Sequence, residues 1–192
     1  PTLSSVSIAT AGTGNANDGD VITLSFTASE AIQNPTCTFA DSAGGAMDNS
    51  GSITVAEGSS NAWTCKITTH NSDPNGAITF SIAFSDDADN AGTTVTDVTD
   101  STSVTIDNTH PTLSSVSIAT AGTGNANDGD VITLSFTASE AIQNPTCTFA
   151  DSAGGAMDNS GSITVADGGS NAWTCKITTH NSDPAGAITF SI

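Results

Sequence analysis

Two sets of residues in this chain have the types and spacing to do chemistry. The first is acidic. Six aspartates lie between Ala83 and His110 (Asp86, Asp87, Asp89, Asp97, Asp100 and Asp107), with no Lys or Arg among them. Asn90 and Asn108 stand beside them, and Glu30 and its repeat Glu140 follow alternating apolar runs. Carboxylate and amide oxygens are hard ligands, and six to eight of them suit Ca²⁺. The candidate cation ligands are Asp86, Asp87, Asp89, Asn90, Asp107, Asn108, Glu30 and Glu140. Left unbound, these carboxylates repel one another. The second set is two cysteine pairs, Cys37 with Cys65 and Cys147 with Cys175, at the same spacing in each.

The acidic stretch is not an EF-hand. With Gly92 as the fixed glycine, Asp87 and Asp89 fall on ligand positions, but Ala91 and Val98 do not. The loop Asn15–Asp20 fails the same test. The competing reading is that these are solvated turn residues that keep the protein soluble. For the cysteines, alternation turns both members of each pair inward, beside Phe39 and Trp63, which favours intradomain disulfides and an oxidising, extracellular location. Two free buried thiols are one alternative. A zinc site with His70 is another, but it lacks a fourth ligand.

His70, His110 and His180 are the only imidazoles. A Ser-His-Asp set can be drawn on paper in so Ser-rich a chain, but no nucleophile motif supports it, and no enzyme activity is expected. Asn34-Pro35-Thr36 is barred from glycosylation by its proline. The Thr-rich faces do not form the flat ladder that ice binding would need. The only bases, Lys66 and Lys176, fall on outward strand positions.

The elements that must hold these residues follow from a repeat. Pro1–Ile8 returns as Pro111–Ile118, a period of 110 residues. Residues 111–192 match 1–82 with three differences, Glu57/Asp167, Ser59/Gly169 and Asn75/Ala185. A period of that length is a whole small domain, not a solenoid unit. The expected domains are 1–110, including a linker, and 111–192, an incomplete copy. Of the copy's strands, the end of the sixth (F) and all of the seventh (G) would be missing. Either a longer array continues, or a neighbouring subunit donates the strand.

Alternation of apolar and small polar residues predicts strands at about 4–10, 20–29, 35–40, 52–57, 62–69, 77–86 and 101–107. Inward residues would be Val6, Ile8, Ile22, Leu24, Phe26, Ala28, Cys37, Phe39, Ile53, Val55, Trp63, Cys65, Ile67, Ile78, Phe80, Ile82, Phe84, Val104 and Ile106. Thr93–Val98 is a candidate for an extra or split strand. No segment has a helical period. One wetted and one buried face suits antiparallel sheets. The expected fold class is all-β, with tandem immunoglobulin-like Greek-key sandwiches of about seven strands each. A small closed barrel is the alternative.

Charge excludes partners. With 20 acidic residues against 2 basic ones, the net charge is -18 over 192 residues. Nucleic acid and anionic membrane surfaces both need a basic footprint. No apolar run is long enough for a membrane-spanning helix.

Three segments carry a resemblance: Val21–Ile32 (VITLSFTASEAI), Phe84–Gly92 (FSDDADNAG), and Ser103–Pro111 (SVTIDNTHP) leading into Thr112-Leu113-Ser114. They resemble the bacterial Ig-like tandem repeats of giant secreted surface proteins and adhesins. That resemblance implies a module that extends, stiffens and spaces a cell-surface stalk, often with calcium at domain junctions. Its partners would be neighbouring repeats, and other copies if the chain builds a filament. The chain departs from the family pattern in its two cysteines per repeat. It also has Asp89 where such repeats often place Gly before Asn. An adhesive module binding glycan or protein through its loops is the second reading. Trp63 and Trp173 are the only large aromatic candidates for glycan, and both read as core.

Overall fold

The computed structural model describes residues 1–12, 14–49, 52–122, 124–159 and 162–192. It divides into two units, Pro1–Thr109 and His110–Ile192. Among the described residues there is no α-helix, and so none long and apolar enough to cross a membrane.

Unit 1 has eight strands: β1 (Leu3–Thr10), β2 (Val21–Ala28), β3 (Ile32–Ala40), β4 (Thr54–Glu57), β5 (Ala62–Thr68), β6 (Gly76–Ala77), β7 (Thr79–Asp86) and β8 (Thr105–Ile106). One antiparallel sheet runs in the order β1-β2-β5-β4. The second is built on the β3–β7 pair, and Val95 bridges Ile82 at the outer side of β7. In chain order these are strands A, B, E and D facing C, F and a fragment of G, the immunoglobulin-like sandwich.

The alternation in β2 explains the packing. Ile22, Leu24, Phe26 and Ala28 are buried, and the threonines and serine between them are half-exposed. Phe39 and Ile82 fill the facing layer from β3 and β7. Val55 departs from the expected pattern. It is 40% exposed, because β4 is the sheet edge and its inward side is only partly covered. Ile53 is only partly buried.

Three strand boundaries also differ from expectation. β3 starts at Ile32, and its register shifts between Gln33 and Thr36, around Pro35. Proline has no N–H for the ladder, so it sits at an irregularity. The run 77–86 is divided at Ile78. Gly76–Ala77 pair with β8, while β7 pairs with β3. The expected strand 101–107 is reduced to Thr105–Ile106, because residues 91–109 change partners along their length. Ala91 and Val95 bridge β7, Thr99 donates its N–H to the Val6 carbonyl (2.8 Å), and Ile106 bridges Ala16.

Unit 2 has β9 (Leu113–Thr120), β10 (Val131–Ala138), β11 (Thr148–Ala150), β12 (Thr164–Gly169), β13 (Ala172–Thr178) and β14 (Thr189–Ser191). Its larger sheet repeats the order of unit 1, with β9 next to β10, then β13 and β12. Its smaller sheet is a three-residue pairing of β11 with β14. β11 is shorter than β3 because its partner strand is shorter.

Candidate functional site

The cysteines pair as disulfides within each unit. Cys37 on β3 joins Cys65 on β5, and Cys147 joins Cys175, with a Cα–Cα distance of 6.4 Å in both. Each bond links the two sheets, from strand C to strand E. Antibody domains instead join strands B and F. Trp63 and Trp173 lie two residues before the second cysteine and are only 6% and 8% exposed, so neither offers a stacking face to a ligand.

The acidic candidates do not form one cluster in unit 1. Asp86 ends β7, and Asp87, Asp89 and Asn90 follow it, at the end where β3 begins; Ile32 is the register partner of Asp86. Glu30 lies at the same end, two residues before β3. Asp107 and Asn108 lie at the opposite end, beside the turn that follows β5. The Asn108 amide donates to the carbonyls of His70 (3.1 Å) and Asp73 (3.0 Å). Glu140 belongs to unit 2, where one of its carboxylate oxygens is buried without a partner.

Asp86 is consumed by its own loop. One carboxylate oxygen accepts the N–H groups of Ala88 (2.9 Å) and Asn90 (2.8 Å), and the other accepts the Asn90 side-chain amide (2.8 Å). These donors favour the charged form, the Asn90 side chain most, and hold the carboxyl below the usual aspartate value. Asp89 sits at φ 64, a left-handed conformation that glycine takes freely and Asp tolerates. Asp87 and Asp89 are exposed. Among the described residues, no three His, Cys, Asp or Glu side chains are arranged to hold a metal.

Other carboxylates, not singled out from sequence, serve as turn caps. Asp73 is buried and accepts the N–H groups of Asp48 (2.9 Å) and His70 (2.7 Å). Asp41 accepts those of Ala43 (2.7 Å) and Gly45 (3.1 Å). The sequence signal was present in Asp41-Ser42-Ala43-Gly44-Gly45, an acid followed by glycines.

His70, Ser72 and Asp48 do meet. The Ser72 hydroxyl lies 2.6 Å from His70 Nδ1 and also bonds the Asp48 carboxylate. His180, Ser182 and Asp158 repeat the arrangement. Here the serine sits between acid and imidazole, bonded to both. In a nucleophilic triad the imidazole stands in the middle. Ser72 N–H also points at His70 Nδ1 (3.3 Å), so the ring is tied into its own turn.

No family model matches the chain, and no curated protein matches it. Among solved structures it is similar to two marsupial T cell receptor chains. The first shows 11% identity and a TM-score of 0.46, over 98% of this chain and 66% of that one. The second shows 13% identity and a TM-score of 0.33, over 97% and 58%. Titin domains Z1Z2, solved in complex with telethonin, give 9% identity and a TM-score of 0.32, over 98% and 94%. The chain thus spans 66% or less of the receptor chains' lengths. The immunoglobulin-like assignment rests on the strand order and on the two sheets that each disulfide joins.

Proposed function

We propose that this chain is a non-catalytic, extracellular structural module whose tandem sandwiches extend and stiffen a cell-surface stalk, filament or sheath. One observation carries the reading: each unit ties its two sheets together with a disulfide at the same place. A sandwich with a small core gains mechanical and thermal resistance from that bond, and the bond persists only in an oxidising compartment. Extreme negative charge with only two bases suits a surface that must stay solvated and unaggregated.

Calcium at the repeat junctions belongs to this proposal through charge and ligand type alone. Its support is the exposed Asp87 and Asp89, which carry hard oxygen donors in a stretch without bases. A melt with calcium and with chelator tests it. A midpoint that calcium does not raise would remove the metal and leave the spacer.

The spacer itself is tested by localisation and by capture. Antibody to the chain should decorate intact cells along extended surface structures, and glycan and protein arrays should show no saturable binding. Saturable capture by a defined glycan would replace the spacer with an adhesive module.

A further inference from the structure

Asn75-Gly76 is the only Asn-Gly pair in the chain, and Asn75 is one of the three positions at which the two copies differ. Its side chain holds residues 107–109, the last of unit 1. Nδ2 donates to the Asp107 carboxylate (3.2 Å) and the Thr109 hydroxyl (2.6 Å), and Oδ1 accepts the Asn108 N–H (2.8 Å). The Asn75 carbonyl accepts the Ser42 hydroxyl (2.8 Å). Asn75 is nonetheless exposed.

The glycine after it is imposed by the fold. Gly76 has φ 135, and a Cβ there would meet the Ser42 Cβ at 2.4 Å. Both conformation and space therefore bar a side chain. Unit 2 keeps the same constraint, with Gly186 at φ 152 and the Ser152 Cβ 2.3 Å from where its own Cβ would lie. The residue before Gly186 is Ala185. The two units thus share the glycine and differ in whether a side-chain amide precedes it.

An amide side chain next to an unshielded glycine nitrogen can close a ring. Gly76 N attacks Asn75 Cγ, the Cγ–Nδ2 bond breaks, and ammonia leaves with the proton that Gly76 N gives up. Water then opens the cyclic imide. Opening at the side-chain carbonyl leaves aspartate at position 75, and opening at the main-chain carbonyl leaves isoaspartate. We propose that Asn75 is a self-modification site, present in unit 1 and absent from unit 2, whose reaction loosens the hold on residues 107–109. Ring closure must first free the amide from its three hydrogen bonds, so the docked segment slows it. Once formed, the new carboxylate faces that of Asp107 without a donor between them, and like charges repel. Isoaspartate also lengthens the main chain just before Gly76, which upsets its pairing with Ile106. The inference does not rest on the stalk reading, and either can fail alone.

The test ages the full 192-residue chain in warm, mildly alkaline buffer, reduces it, and cuts it after Trp and Phe. Peptides 64–80 and 174–190 differ only in Asn75 against Ala185, so each carries its own internal standard, Asn71 or Asn181. Conversion of amide to acid is expected at Asn75 at least several-fold faster than at Asn71 or Asn181, with both aspartate and isoaspartate formed. Asp107→Ala, which removes one partner of the amide, should speed it several-fold further. Asn75→Asp should raise hydrogen exchange at 105–109 above that of Asn75→Ala, the residue unit 2 already carries. Conversion at Asn75 no faster than at Asn71 would overturn the proposal. So would a rate that Asp107→Ala leaves unchanged, or exchange at 105–109 in Asn75→Asp no higher than in the unmodified chain.

Discussion

Ile106 forms a parallel bridge with Ala16, the only described parallel pairing in the chain, and the flanking residues of Ile106 bond both backbone groups of that alanine. Ala16 is fully buried as a result, while Ala126, its repeat, is only partly buried. The two units therefore hold the same strand sequence under different protection. Backbone amides of residues 6 and 8 should exchange more slowly than those of 116 and 118. Nuclear magnetic resonance must read this, because the identical sequences give identical proteolytic peptides. Equal rates would mean that residues 91–109 do not stay docked on unit 1.

Much of the fold was legible because most strands bury one face along their length. β2 pairs on both sides and faces the opposing layer, so its alternation matches its burial without exception. Both disulfides were legible for the same reason, since Cys37 and Cys65 lie in phase with buried neighbours. The segment after β7 was not. Its backbone bonds go to β7, then to β1, then to Ala16 and β6, and no single face persists long enough to leave a period. Val55 misled because alternation reports which side a residue faces and not whether anything covers that side. The acidic residues are plain in the sequence, but the ligand set expected of them belongs to a junction between repeats and not to one unit. Asp86 and Asp107 lie at opposite ends of one unit.

Gly92 serves packing. Taken as the fixed glycine of an EF-hand it leaves Ala91 and Val98 off the ligand positions. In the structure its N–H bonds the Phe84 carbonyl (2.9 Å), and a Cβ there would meet the Phe84 ring at 2.2 Å. The glycine is needed so that this ring can lie against the backbone. Gly92→Ala should destabilise unit 1 by about 1–3 kcal/mol, since overpacking forces the ring or strand to shift. Unit 2, which has no counterpart, should melt unchanged. A neutral Gly92→Ala would show that the Phe84 ring can move aside freely.

Acid should destabilise the protein in a defined window. Asp86 is held low chiefly by the Asn90 side chain, and Asp100 by the Thr102 hydroxyl. Asp183 is held low first by the Asp158 N–H, then by that of His180. Depressed folded values stabilise the native state above the unfolded value and lose that contribution as pH falls through the folded one. The melting midpoint should therefore hold through mildly acidic pH and fall below about pH 4. Carboxyl-carbon titration of Asp86, Asp100 and Asp183 should give midpoints under 3.8. Midpoints at or above that value would place the hydrogen-bond donors elsewhere.

The disulfides predict a mechanical signature. Cys37 and Cys65 are 28 residues apart in sequence, while their Cα atoms are 6.4 Å apart in space. Pulling on the ends of an oxidised unit cannot extend the chain between them. Reduction should release roughly 100 Å of additional length per unit, at about 3.6 Å per residue. It should also remove about 3 kcal/mol of stability, because the closed loop restricts the unfolded chain. Single-molecule extension with and without reductant reads the length, and chemical denaturation reads the energy. The two units close loops of equal size, so both increments should match. Unequal increments would mean that one pair is not closed in the folded protein. An unchanged length after verified reduction would show that force does not unfold the segment between strands C and E, and that the bond's contribution to stiffness lies outside the pulling path.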